Sequence, residues 1–143
     1  MNFYKSLTLL IIAIVMVLSA ALSGCVRKPV TMEEKYGVSV EGVRVTAAGY
    51  MLDFRYRIRD PHKAKPLVDR NNKAFLIDEK NGLTYGVPNT AKVGPLRNTT
   101  RFAEPKLDRT YFVLFGNPGK GIQPGDKVRI EIGQFRTDPI VVQ

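Results

Sequence analysis

The side chains able to do chemistry in this 143-residue chain are few and scattered. His62 is the only histidine and Cys25 the only cysteine, whereas a zinc or copper site draws several nitrogen or sulfur ligands to one point. Ser39, the only serine after position 24, stands in Val38-Ser39-Val40. It has neither the glycine elbow nor the basic neighbour that nucleophilic catalysis requires. Among the carboxylates, Asp78 and Glu79 flank a turn sequence, Asp126 follows another, and Asp53 sits among arginines that would pair with it. A general acid and base assembled from such residues would need an arrangement that no spacing here announces. The stretch Gly116-Asn117-Pro118-Gly119-Lys120-Gly121 invites comparison with phosphate loops. It lacks the Gly-Lys-Ser/Thr ending and a following helical pattern, so it reads as a long hairpin connection. The expectation is a chain without catalytic residues, without a metal site and without a cofactor.

One constellation stands above this background. Tyr50, Leu52, Phe54, Tyr56 and Ile58 alternate with Met51, Asp53, Arg55, Arg57 and Arg59, the period of a half-buried strand. If the apolar set faces a core, Arg55, Arg57 and Arg59 share the other face at intervals of about 6.8 Å. Arginine forms bidentate bonds with phosphate and carboxylate groups. The row is therefore a candidate anion-binding surface for lipid headgroups or acidic glycan, and Lys63, Lys65, Arg70 and Lys73 carry the positive charge onward. The plainer alternative is a solvated strand face that charge protects from edge pairing.

The amino terminus has the layout of an export signal. Lys5 is followed by a mostly apolar stretch from Leu7 to Leu22, short for a bilayer span of about 20 residues. It ends in Leu22-Ser23-Gly24-Cys25, which resembles the lipobox of bacterial lipoproteins. That resemblance covers residues 1–25. It implies that residues 1–24 are a signal peptide removed before Cys25, that the Cys25 thiolate carries a diacylglyceryl thioether, and that the new amino terminus is acylated. The protein would then be held by palmitate-class chains in the cell membrane or the outer membrane, facing an extracytoplasmic compartment such as the periplasm. Two or three chains make a durable anchor, because each buried methylene contributes about 0.8 kcal/mol. Val26, rather than aspartate, after the cysteine fits outer-membrane sorting in enteric-type lipoproteins, although the choice of membrane stays open. With one cysteine, no disulfide forms within a molecule, and the fold relies on its apolar core.

Removing Lys5 lowers the formal charge from +9 to +8, a balance that favours anionic surfaces without specifying a fold. Residues 25–37 read as the lipidated cysteine and a flexible tether reaching at most roughly 35 Å, with at most a helical turn at Met32–Lys35. Residues 38–143 read as one domain. Val38 and Val40, then Val43 and Val45, suggest an opening strand kinked near Gly42. Ala74–Glu79 and Leu83–Val87 flank Lys80-Asn81-Gly82, where Asn-Gly predicts a type I′ hairpin turn. Lys92–Leu96 is a short candidate strand, Tyr111–Phe115 and Lys127–Ile132 are core strands, and Ile140 and Val142 close the chain. Pro124-Gly125 fits the centre of a type II turn.

Seven or eight short strands with turn signals between them predict an all-β domain, an immunoglobulin-like antiparallel sandwich, with a small closed barrel as the alternative. No long amphipathic helix competes. The function that follows is a membrane-tethered, non-enzymatic binding or accessory protein of the cell envelope. Its partners would be the membrane through lipid on Cys25 and an envelope protein or anionic surface, with no nucleic acid expected. A polyanion binder using the arginine face, and an enzyme whose site no motif reveals, stay open beside it.

Overall fold

A computed structural model describes residues 30–100 and 104–143. The signal segment 1–24 and the lipidation candidate Cys25 lie outside the described residues. Within them the order is α1 (Met32–Tyr36), β1 (Val38–Thr46), β2 (Met51–Ile58), α2 (Pro61–Val68), β3 (Ala74–Asp78), β4 (Thr84–Gly86), β5 (Asn89–Thr90), β6 (Gly94–Pro95), β7 (Thr110–Gly116), β8 (Lys127–Ile132), β9 (Phe135–Arg136) and β10 (Ile140–Val141). No helix of the described residues is long and apolar enough to cross a membrane.

The chain is mostly β, and its paired strands are antiparallel. One sheet has the order β1-β2-β7; the other runs β10-β8-β3-β4, with β9 folding back on β8. Both donate their apolar positions to a single core. Leu52, Phe54, Tyr56 and Ile58 come from β2, Tyr111, Val113 and Phe115 from β7, and Val128, Ile130 and Ile132 from β8, all buried. The period-two pattern thus does what it must, placing every second residue inside.

Neither outer edge of the three-stranded sheet is bare. Past a register shift between Val40 and Gly42, where Gly42 adopts φ +135°, β1 bends and exchanges backbone bonds with the carboxyl terminus. Val45 N–H donates to Gln143 and Gln143 N–H to Val43, both at 2.9 Å. Along β7, Asn98 N–H donates to Phe112 and Leu114 N–H to Leu96. Covered edges do not template pairing with other chains.

Several expectations need correction. Tyr50 is not part of the buried set: it follows the 3₁₀ turn Ala47–Gly49 and is exposed, with the Lys120 ammonium 4.7 Å from its ring centre. The Asn-Gly turn is not type I′, since Gly82 but not Asn81 takes positive φ. Asp78 closes a wider loop instead, its N–H donating to Leu83 and its carbonyl accepting from Gly82. Gly116–Gly121 is not a hairpin connection, because β7 and β8 belong to different sheets and this loop carries the chain across between them.

Asp60–Lys63, expected as loop, opens α2. The Asp60 carboxylate accepts from the His62 and Lys63 backbone N–H groups, Pro61 takes the first turn, and Ala64, Leu67 and Val68 face the core. Part of the expected tether is also built in. Thr31 and Glu34 form a reciprocal capping box, and Tyr36 lies edge-on to Phe135 at 4.9 Å. Gly37 then turns the chain at φ +68°, its carbonyl accepting from Arg59 and Asp60. A Cβ at Gly37 would lie 2.6 Å from the Asp60 carbonyl oxygen, so glycine is the residue that fits.

Candidate functional site

β2 and the bend after it bring the three predicted arginines to one face, and each meets a carboxylate there. Arg55 Nε donates to Asp53 Oδ2 at 2.8 Å, Arg57 Nε to Glu41 Oε1 at 3.0 Å, and Arg59 Nη1 to Asp108 Oδ1 at 2.7 Å. Glu41 is the residue at the β1 bulge, and its Oε1 also accepts from the Thr110 hydroxyl. Asp53, largely buried, has Arg44 at 3.8 Å as a second cation, while its Oδ1 finds no hydrogen-bond partner. The row is therefore an alternation of paired charges. Each guanidinium gives one nitrogen to its carboxylate, so an arriving anion would meet a partly neutralised row, and exposed pairs of this kind contribute only about 0–1 kcal/mol each.

The other chemistry-bearing residues stay apart. His62 is exposed on α2, with Nδ1 3.2 Å from Glu104 Oε1. Ser39 sits within β1, opposite Arg57. Among the described residues no group of three His, Cys, Asp or Glu side chains gathers as a metal site. In the loop compared with phosphate loops, Asn117 is fully buried. Its amide donates to the carbonyls of Gly49 and Ile122 and accepts from the Ile122 N–H, at 2.9–3.0 Å. That loop is a clamp on its own backbone.

Positive charge outside any ion pair of the described residues collects elsewhere, around a groove of about 350 Å³ between the α2–β3 loop, the ends of β3 and β4, and the β5–β6 ribbon. Arg70 and Lys73 come from the loop, and Arg97 from the strand-like segment beside β7. Arg97 is buried, and its position is fixed by backbone. Nη1 donates to Asn72 O at 2.7 Å, and Nη2 donates to Leu67 O at 2.8 Å and Asp69 O at 3.0 Å. These carbonyls lie at and just past the end of α2, where a cation also complements the helix dipole. Burial lowers the Arg97 pKa, an effect that the neighbouring Tyr56 and Asp69 oppose. Tyr56 is the converse case. Burial raises its pKa above the ordinary phenol value against the pull of Arg97, and its hydroxyl has no hydrogen-bond partner.

Sequence reasoning named Arg70 and Lys73 only as an extension of the row, and missed Arg97 and Asn117. Both missed residues sit in stretches without apolar periodicity, and what marks them is burial of a polar group, visible only once strands from distant parts of the chain are assembled. Compared with known proteins, the chain matches no family model, no curated protein sequence and no solved structure.

Proposed function

We propose that this protein is a lipid-anchored, non-enzymatic binding or accessory module of the bacterial cell envelope, tethered through Cys25 and facing an extracytoplasmic compartment. The observation that carries the anchor is Leu22-Ser23-Gly24-Cys25 at the end of an apolar segment that opens with Lys5. Five residues separate Cys25 from Thr31, the N-cap of α1, so the tether is short and the domain would ride close to the bilayer. Its fold, on this reading, is an immunoglobulin-like sandwich. In support, β1-β2-β7 follows the A-B-E order and β10-β8-β3-β4 the G-F-C-C′ order of such domains. Binding of an acidic surface through Arg55, Arg57 and Arg59 is the second reading, favoured by their common face and partial exposure.

The test of the anchor is metabolic labelling with a clickable fatty acid in a bacterium expressing the full chain. Wild type should carry label and fractionate with membranes, and Cys25→Ala should carry none and keep its precursor mass. Equal labelling of the two would remove the anchor and, with it, the envelope assignment.

A further inference from the structure

We infer that the groove bounded by Arg70, Lys73 and Arg97 binds a small amphipathic anion, an oxyanion carried on an apolar or aromatic body. The inference stands on this groove alone and does not depend on the lipid anchor.

Charge is the first argument. Three cations line the groove and no carboxylate does. All 13 acidic residues of the chain fall among the described residues, and the nearby ones are committed elsewhere. Asp69 Oδ1 accepts from the Asn71 N–H at 2.9 Å. Glu131, the neighbour of Phe75 across β3 and β8, is held by Arg136 Nε at 2.7 Å. Among the described residues, Arg70 and Lys73 form no ion pair, in contrast to Arg55, Arg57 and Arg59, each of which has one. Arg70 and Lys73 thus bring positive charge that no ion pair of the described residues takes up, while the charge of Arg97 is offset only in part, through space, by Asp69, and an incoming oxyanion gains from all three.

Preorganisation is the second. Arg97, only 9 % exposed, is clamped by three carbonyls, so its charge stands at a fixed place without side-chain entropy to lose on binding. Carbonyl ligands orient the guanidinium without neutralising it. The exposed Arg70 and Lys73 then supply the mobile donors that close on the anion.

Shape and polarity fix the rest of the ligand. Phe75 shows 38 % of its surface, and Val87 and Pro95 add apolar wall. Asn89 contributes an amide at the rim. A volume of about 350 Å³ is at the small end of ligand sites, room for an aromatic acid or the acidic end of a larger molecule. A bare inorganic anion would leave the Phe75 wall wet.

Naphthalene-1-sulfonate and naphthalene-1-sulfonamide share one body and differ in charge, which makes them a matched pair of probes. The full chain, in nanodiscs of zwitterionic phosphatidylcholine, is titrated with each while backbone amide shifts are followed, empty nanodiscs serving to correct for partition. The sulfonate should shift the amides of Lys73, Phe75 and Gly86, with the sulfonamide at least about tenfold weaker. The Arg70→Gln/Lys73→Gln double variant, altered only at exposed positions, should bind the sulfonate about tenfold more weakly, and Lys80→Gln/Lys127→Gln, exposed and away from the groove, should bind it as wild type does. Equal affinity for the two compounds, an unaffected Arg70→Gln/Lys73→Gln variant, or shifts confined to the β2 face would each overturn the assignment.

Discussion

Asn117 offers the sharpest test of how the crossing between the two sheets is held. The substitution Asn117→Ala strips a buried amide of three hydrogen bonds, two given to the Gly49 and Ile122 carbonyls and one taken from the Ile122 N–H. Each is worth about 1 kcal/mol net, and a buried group left without a partner costs about 1–3 kcal/mol. Asn117 is 0 % exposed, so water does not reach the abandoned groups cheaply. The expected loss is about 3–4 kcal/mol, a large share of the roughly 5–15 kcal/mol that stabilises a typical domain. At roughly 4–8 °C per kcal/mol for small domains, the melting temperature should fall by about 12–32 °C. Urea unfolding of the full chain in nanodiscs, followed by tyrosine fluorescence, measures it, with an unchanged slope showing that the folded state is the same. Asn117→Asp separates the donor role from the acceptor role. It retains the acceptor for Ile122 N–H but turns an oxygen toward two carbonyls, a contact relieved only if the carboxyl is protonated. The folded state then binds a proton that the unfolded state releases above about pH 3.9, so the stability of Asn117→Asp should fall as pH rises from there toward neutrality. A loss below about 1 kcal/mol for Asn117→Ala would refute the reasoning and mean that the loop is held by Ile122 and the backbone.

Two further outcomes follow from burial. Ile130 is fully buried in β8, and burying its side chain is worth about 1.5–3 kcal/mol. Ile130→Asp should therefore unfold the domain, whereas Arg129→Asp, which breaks a half-exposed pair with Glu79 at 3.0 Å, should cost no more than about 1 kcal/mol. Equal melting temperatures for the two would reverse the inward and outward faces of β8. Tyr56 has a buried hydroxyl without a partner and a pKa raised above 10, chiefly by burial. Above pH 10 the unfolded chain sheds this proton and the folded chain keeps it, so the group's contribution is intact below pH 10 and is lost progressively above it. Tyr56→Phe should flatten that alkaline decline and raise stability at pH 7 by about 1 kcal/mol. Denaturant midpoints at pH 7 and pH 10.5 give both numbers, and a Tyr56→Phe variant that is destabilised by 1 kcal/mol or more would mean that the hydroxyl is bonded.

How far the chain could be read without its structure depended on the range of the force involved. Alternation is local, and β2 and β8 followed from it because each apolar position needs only a sheet behind it. The turn at Pro124-Gly125 was also local, and Gly125 takes φ +97° with Asp126 N–H closing on Gln123. α2 had local signals too, an Asp60 cap, Pro61 in the first turn and apolar Ala64, Leu67 and Val68 at helical spacing. The segment is short, and the lysines between the apolar positions and Pro66 inside it dilute those signals. Tyr50 falls outside the buried set because it caps the 3₁₀ turn at Ala47–Gly49 and β2 begins only at Met51, although its sequence spacing continues the alternation. For the Asn-Gly hairpin, the loop length is set by where β3 stops pairing with β4, at Ile77 and Thr84, which the dipeptide does not encode.

The candidate sites show where local reasoning stops. A row of arginines at period two is visible in the sequence, but whether each is free depends on what the neighbouring strands and loops bring. Glu41 reaches Arg57 only because β1 bulges there, and Asp108 reaches Arg59 only because the segment before β7 returns to the end of β2. The groove is the complementary case. Nothing in Leu96-Arg97-Asn98 distinguishes Arg97 from the chain's other arginines until β7 draws the segment against its edge and the end of α2 presents three carbonyls to the guanidinium. Among side chains of one formal charge, the structure thus separates those neutralised by carboxylates from those merely positioned by backbone. Arg97 keeps more of its field for a ligand than Arg55, Arg57 or Arg59 does, and with Arg70 and Lys73, unpaired among the described residues, beside it the groove suits an anion better than the strand face.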